Sequence, residues 1–377
     1  MYDQIRGDFL FIILYSMVTA MAMIASCYLL FRRANAIAPD ITSPVRLRRW
    51  TGVFFAFLAL NHVWYMPILF LSSSEDILMT DLIGGLLDCM TVIPLAIIVL
   101  FAMLQDRQRP LWPVVVMMVP LVVGNALDLV TLSYDYLPML NGYALLLGIG
   151  ISIYMVRASR QYGRWLRDNY ADLEHKEVWQ SFVVLAIMLS VFVIYAFTSE
   201  GTAYLYAMQV ICVVLICYLL WRVETLSNLS ISCPQDVPVE AGDLSVIHTG
   251  TTENEEENAI SQTIRNIGPL LKQYCQEPQL YLQHDISVTQ LAMLIGTNRV
   301  YLSQYFTNHG INYNTYINGL RIQHFINLYH ESAQNHQTII TKQLAYQSGF
   351  RSYSTFGAAF KQIMGMTATE WMRRQAE

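Results

Sequence analysis

Two patterns of apolar and polar positions divide the chain. Up to about residue 222, long apolar runs alternate with short charged clusters, whereas beyond residue 262 apolar positions recur every three to four residues in short blocks. A helix needs about 20 mostly apolar residues to cross a hydrocarbon core of roughly 30 Å. Seven runs meet or approach that length: Phe9 to Phe31, Trp50 to Leu71, Leu82 to Met103, Leu111 to Leu132, Leu140 to Val156, Phe182 to Phe197 and Tyr204 to Leu220. The fifth and sixth are short. The first could be taken for a secretory signal, because Ala34-Asn35-Ala36 resembles a cleavage site. It is too long for a signal core, and Arg32 and Arg33 follow it, so it is expected to be a retained span.

The Lys and Arg residues of the charged clusters fall in alternate loops. Between runs one and two stand Arg32, Arg33, Arg46, Arg48 and Arg49; between three and four, Arg107 and Arg109; between five and six, Arg157, Arg160, Arg164, Arg167 and Lys176; after the seventh, Arg222. The intervening loops hold only acids, Glu75, Asp76, Asp81, Asp135 and Glu200. Short basic loops favour the cytoplasmic side, so an odd number of spans predicts an outside N-terminus and a cytoplasmic C-terminal half. Composition agrees, since 54% of the 377 residues are hydrophobic and 14% charged, against about a quarter charged in soluble domains.

Polar groups inside spans are costly in lipid and are candidates for function. His62 and Asn61 fall in the second run, Asp88 in the third, and Asn125 and Asp128 in the fourth. Pro67, Pro94, Pro113 and Pro120 lie in the same runs and can open a helix. His62, Asp88 and Asp128 are therefore expected to line a sensory cavity for an external or intramembrane ligand; the alternative is that they only hydrogen-bond between helices. None of the six cysteines forms a C-x-x-C pair. His324, His330 and His336 are six residues apart, which does not align them for a metal, so no metal or cofactor is expected.

Residues 223 to 262 carry eight acids and no Lys or Arg. This composition predicts a flexible tether with an end-to-end distance of roughly 35 Å. Residues 258 to 377 reverse the sign, with 9 Lys+Arg against 5 Asp+Glu. The expected domains are 1–222, a seven-span sensor; 223–262, the acidic linker; and 263–377, a DNA-binding domain.

In this last domain Asp285-Ile286-Ser287 opens a block with Val288, Leu291, Ala292 and Ile295 on one face, Gly296 turns, and a helix starting at Thr297 or Asn298 places Leu302 and Phe306 inward. The arrangement repeats with Ile340, Leu344 and Ala345, a turn at Gly349, and a helix from Ser352 to Met364 carrying Phe356 and Phe360. Helix, short glycine turn, helix is the helix-turn-helix unit, whose second helix enters the major groove. Between the units, Tyr313 to about Glu331 has a continuous buried stripe. Its 19 residues would make a rod of roughly 28 Å.

The motifs Ser287-x3-Leu291-Ala292, Tyr301-Leu302-x3-Phe306, Tyr316-Ile317-x3-Arg321-Ile322 and Leu344-Ala345-x3-Gly349-Phe350-x-Ser352-x-Ser354-x-Phe356-x3-Phe360-Lys361-x3-Gly365-x-Thr367 resemble the DNA-binding domain of the AraC/XylS family of bacterial transcription regulators. The resemblance covers Ile267 to Arg373. It implies double-stranded promoter DNA and RNA polymerase as partners. By position, Arg299, Val300, Ser303 and Gln304 would face bases from the first reading helix, Gln304 suiting adenine, Arg299 guanine or phosphate, and Val300 a thymine methyl. The second reading helix departs from the family pattern with Gly357 and Ala358. Arg351, Tyr353 and Ser354 remain there, with Lys361 and Arg321 as phosphate contacts or structural partners. Ala368 stands where the family has proline.

The predicted fold is all-α: a seven-helix transmembrane bundle followed by a cytoplasmic all-helical domain with two helix-turn-helix units. The expected function is that of a regulator anchored in the bacterial cytoplasmic membrane, not an enzyme, because no P-loop, G-x-S-x-G, kinase loop or H-E-x-x-H is present. The alternative is a seven-span receptor or transporter whose cytoplasmic domain binds a protein. Signal transfer through a flexible tether suggests a homodimer, with Ser16 and Ala20, or Ala22 and Ser26, permitting close helix approach.

Overall fold

The computed structural model describes residues 8–32, 34–184, 186–187, 202–229, 264–336, 338 and 340–376. They are helical, with no β-strand among them and one isolated antiparallel bridge between Tyr170 and Ser287. They group into two compact units, residues 1–162 with 178–228 and residues 163–177 with 229–377.

The first unit holds α1 (Phe9–Phe31), α2 (Val45–Tyr65), α3 (Ser74–Met90), α4 (Val92–Met103), α5 (Trp112–Thr131), most of α6 (Leu137–Asn169) and α7 (Thr202–Thr225). Among the described residues, six stretches of helix are long and apolar enough to cross a membrane: Phe9–Phe31, Val45–Leu69, Ser74–Met103, Trp112–Thr131, Leu137–Asn169 and Leu205–Thr225. They suggest association with a lipid bilayer. The expected sixth span, Phe182 to Phe197, lies almost wholly outside the described residues.

Several boundaries move for local reasons. The third span is broken at Thr91, between α3 and α4. Pro94 lacks an N–H and its ring crowds the carbonyl of Met90, four residues earlier, so the helix cannot run straight through. The fifth helix does not end near Val156 but continues to Asn169, carrying Arg157, Arg160, Arg164 and Arg167 on helix where a loop was expected.

The seventh helix likewise runs past residue 222. Glu224, counted among the acids of the tether, is completely buried; it accepts hydrogen bonds from the backbone N–H groups of Ala36 (3.0 Å) and Ile37 (2.7 Å) and from the Tyr28 hydroxyl. Residues 230–263 of the expected tether lie outside the described residues.

The arginines at these helix ends also have a structural use. Arg48 is only 7% exposed and donates to the carbonyls of Leu29 (3.2 Å) and Arg32 (2.6 Å) and to Asn35 Oδ1 (2.9 Å). It satisfies carbonyls that the last turn of α1 leaves without helical partners. Arg109 acts similarly on Leu104 O (3.3 Å) and pairs with Asp106 at 2.9 Å. Of the two small-residue pairs in α1, Ala22 and Ser26 are buried against the chain's own α2, with Ser26 Oγ donating to Gly52 O at 2.9 Å. Ser16 and Ala20 remain partly accessible.

In the second unit a helix over 264–271 leads through a π turn, Lys272–Gln276, and is labelled α8. Then come α9 (Val288–Leu294), α10 (Arg299–Asn308), α11 (Tyr313–Gln334), α12 (Thr341–Gln347), α13 (Tyr353–Met364) and α14 (Ala368–Ala376). Side-chain caps start five of them, including Thr367, which accepts from Glu370 N (3.2 Å) at α14. Ser287 and Gln290 form a capping box on α9, Asn298 accepts from Val300 N (2.8 Å), Asn312 from Thr315 N (2.8 Å) and Ser352 from Thr355 N (3.2 Å). Each cap satisfies an amide that the first helical turn cannot bond internally.

The unit has two separate cores joined by α11. Tyr313 and Ile317, early in α11, pack with Leu291, Ala292, Leu302 and Phe306. Ile322, Phe325 and Tyr329, later in α11, pack with Leu344, Phe350, Phe356 and Phe360. The helix is thus a spine with one helix-turn-helix built onto each half. Its 22 residues span about 33 Å at 1.5 Å per residue.

Candidate nucleic-acid interface

α9 and α10 form the first helix-turn-helix, α12 and α13 the second. Phe306 and Leu302 hold α10 by its inner face, which leaves Arg299, Val300 and Gln304 exposed and Ser303 half-buried. Val300 is 64% exposed. An apolar side chain standing in solvent beside two polar ones is what a groove surface touching a thymine methyl would carry. These four expected positions share one accessible face, and Thr307 extends it, its hydroxyl bonded back to Ser303 O at 2.9 Å.

On α13, Phe356, Ala359 and Phe360 face inward. Tyr353, Ser354 and Lys361 are exposed, as are Ala358 and Gln362. Gln362 was not singled out in the sequence because it falls outside the family's motif positions; its exposure next to Lys361 adds a polar group to an otherwise small-residue face. Arg351, half-buried just before the helix, is 3.3 Å from Asp285 Oδ2.

Arg321 takes the structural of its two expected roles. It is 1% exposed, and its guanidinium donates to the carbonyls of Tyr281 (2.7 Å), Gln283 (2.7 Å) and His284 (3.4 Å) and lies over the Phe350 ring. Burial pushes its pKa down. A guanidinium still stays charged at neutral pH. A group so enclosed cannot touch a phosphate, so Arg321 leaves the set of DNA contacts. His324 sits against Tyr281 (3.3 Å) and His330 against the Trp371 ring.

One feature of this face is invisible in the sequence pattern. Residues 163–177, which separate two apolar runs, belong to this unit. Lys176 Nζ lies 3.0 Å from Asp285 Oδ1, so Asp285 joins Lys176 to Arg351. Burial works against its charge, yet Lys176 and Arg351 together hold its carboxyl below the usual range.

In the first unit, the three residues expected around a sensory cavity have different surroundings. Asp88 accepts from Asn61 Nδ2 (2.7 Å) and from the Tyr65 hydroxyl (3.0 Å). His62 bonds Leu58 O through Nδ1 at 2.9 Å, and its carbonyl accepts from the Tyr15 hydroxyl. Asp128, 1% exposed, accepts from Tyr136 N at 2.9 Å and so fixes the start of α6. A recess of about 260 Å³ is lined by Leu60, Val63, Trp64, Pro67 and Thr80, which include none of the three.

Comparison with known proteins accords with this geometry. Residues 282–374 match the family model described as "Helix-turn-helix domain". Over 78 residues the chain is 34% identical to the TCP pilus virulence regulatory protein of Vibrio cholerae serotype O1, in both the Classical Ogawa 395 and the El Tor Inaba N16961 strains. That similarity covers 21% of this chain and spans about a quarter, 26%, of the length of those relatives. No solved structure matches the chain. The C-terminal region is an AraC/XylS-type helix-turn-helix domain, a DNA-binding and non-catalytic module of transcription regulation.

Proposed function

We propose that this chain, whose residues 282–374 are a helix-turn-helix domain, is a membrane-anchored transcription regulator that binds promoter DNA through both helix-turn-helix units, with its N-terminus outside the bacterial cytoplasmic membrane and the DNA-binding unit in the cytoplasm. The observation that carries this is the pair of solvent-facing reading helices on a single spine of 22 residues, about 33 Å long and close to one turn of DNA, about 34 Å. The apolar helices support the anchor, and the sorting of arginines supports the orientation. RNA polymerase would be met at the promoter. A homodimer could form through the accessible Ser16 and Ala20 face of α1.

The test is equilibrium binding of the full chain, in lipid nanodiscs, to duplex DNA over a range of salt. Log affinity should fall linearly with log salt, because binding releases counterions from the phosphates. Gln304→Ala is expected to weaken binding to the preferred sequence by about 1–3 kcal/mol and to relax choice at one base pair. Lys361→Ala should instead weaken all sequences alike and flatten the salt slope by about 0.9. Salt-independent retention of a protein partner, with no DNA bound, would favour the receptor or transporter alternative.

The polar node of Asp88, Asn61 and Tyr65, with His62 next to Asn61 along α2, is the proposed seat of signal reception in the bundle, for an external or intramembrane ligand. Asp128 serves it only indirectly, by holding the start of α6. Asp88→Asn should insert normally yet change promoter occupancy, read by chromatin immunoprecipitation and sequencing, by roughly 5-fold or more, the lower range of allosteric couplings. Unchanged occupancy under all growth conditions would remove the node from signalling.

A further inference from the structure

Residues 163–177 continue directly from α6 and yet form part of the DNA-binding unit. The contact is specific and dry. Tyr170 pairs with Ser287 in the antiparallel bridge, and Ala171 N donates to Ile286 O at 3.4 Å. Asn314 Nδ2 donates to both Tyr170 O (3.2 Å) and Ala171 O (2.6 Å). Ala171 is completely buried within the core of the first helix-turn-helix, and Lys176 is 3% exposed. Buried backbone groups that exchange hydrogen bonds in register mark a built interface rather than a grazing surface contact.

The carboxylates brought in with this segment stand near residues that DNA phosphates would approach. Asp168, at the end of α6, interacts electrostatically with Arg299, the first residue of α10. Glu174 Oε2 lies 3.5 Å from the hydroxyl of Thr355, in the first turn of α13. Asp285, anchored from the segment by Lys176, engages Arg351. The second reading helix therefore has a carboxylate of this segment beside its first turn, Asp168 acts on the start of the first through the electrostatic field it shares with Arg164 and Arg167, and Arg351 already faces a carboxylate. Positions that orient a protein on DNA are filled mainly by phosphate contacts, and a fixed carboxylate there repels a phosphate while occupying the same donors.

We propose that the 163–177 segment is an intrachain brake on DNA binding: docked, it sets Glu174 against the start of α13, brings Asp168 within electrostatic range of the start of α10 and ties Arg351 through Lys176 and Asp285; released, it frees both phosphate-binding edges. The proposal rests on the DNA-binding reading above and names its regulation. Because the segment is the uninterrupted continuation of α6, a rearrangement of that helix reaches the DNA-binding unit without passing through residues 230–263.

The experiment uses the full chain in lipid nanodiscs and a fluorescent random-sequence duplex of about 40 base pairs, since non-specific binding reports the phosphate contacts alone. Ala171→Phe overfills a buried site without touching a DNA-facing residue, and Glu174→Gln removes one carboxylate charge and leaves packing intact. Ala171→Phe is expected to speed amide exchange across 170–176, tighten binding by roughly tenfold or more and steepen the salt slope by about 1–2, for the one or two arginines freed. Glu174→Gln should tighten binding a few-fold. Faster exchange in Ala171→Phe with unchanged or weaker binding would overturn the brake. Should that variant fail to fold, unchanged binding by both Glu174→Gln and Asp168→Asn would overturn it equally. A wild-type chain that binds no duplex at any salt would remove the DNA-binding reading itself, and this proposal with it.

Discussion

Arg321→Ala is expected to destabilise the DNA-binding unit severely while leaving the apolar helices inserted. The Arg321 guanidinium satisfies the carbonyls of Tyr281, Gln283 and His284 from a position 1% exposed. Hydrogen bonds from a charged group contribute about 1.5–3 kcal/mol each, and a buried acceptor left without a donor adds its own desolvation cost. Two short bonds and a longer third together put the loss at about 3–5 kcal/mol, against a total stability of about 5–15 kcal/mol for a typical domain. Amide exchange and limited proteolysis of residues 264–376 in the full chain would read it. Arg321→Lys keeps the charge but not the fork that reaches three carbonyls at once, so it should recover little. A phosphate-contacting arginine would behave differently: the variant would fold normally and lose only about 0.9 from the salt slope.

Gly349→Ala is expected to be nearly as damaging, and Gly296→Ala much less so. Both glycines turn between the helices of a helix-turn-helix unit with positive φ, +87° and +69°. An alanine in that left-handed region costs about 1–2 kcal/mol. At Gly349 the added methyl would also lie 2.7 Å from the Cα and 2.9 Å from the carbonyl oxygen of Leu282, neither of which can move aside as a flexible side chain could. Such overpacking adds about 1–3 kcal/mol, for a total of about 2–5. Nothing lies within 4 Å of the same methyl at Gly296, so only the backbone cost applies. Comparing the two variants by exchange protection, each in the core its own turn adjoins, the second for Gly349→Ala and the first for Gly296→Ala, separates backbone strain from close approach. Equal losses would contradict the geometry at Leu282.

How much was legible beforehand depended on whether the cause was local. The helix starts near Ser287, at Thr297 or Asn298 and at Ser352, and the inward aromatic residues Phe306, Phe356 and Phe360, followed from helical periodicity and short-range hydrogen bonding, whereas the outward positions of α10 came from the resemblance to the AraC/XylS domain. Arg321 was ambiguous because its sequence spacing is compatible with either a surface or a buried position. The carbonyls that decide it come from residues about 40 positions earlier. Arg48 and Arg109 counted correctly as basic residues at helix ends, but their capping of backbone carbonyls depends on how neighbouring helix ends meet. Glu224 looked like one acid in a polar tether; its three donors are Tyr28 in α1 and Ala36 and Ile37 just after it, 187 to 196 residues away.

By itself the sequence determined the helical class, the long apolar runs, the position of the helix-turn-helix units and which residues of α10 and α13 face inward. These depend on periodicity, composition and capping, whose range is a few residues. Tertiary structure decided that α6 continues to Asn169 and delivers residues 163–177 into the DNA-binding unit, that Asp285 joins Lys176 to Arg351, and that Asp128 and Asp88 have separate partners. Those outcomes rest on hydrogen bonds and charges between residues far apart in the chain, for which hydrophobic patterning along one helix carries no information.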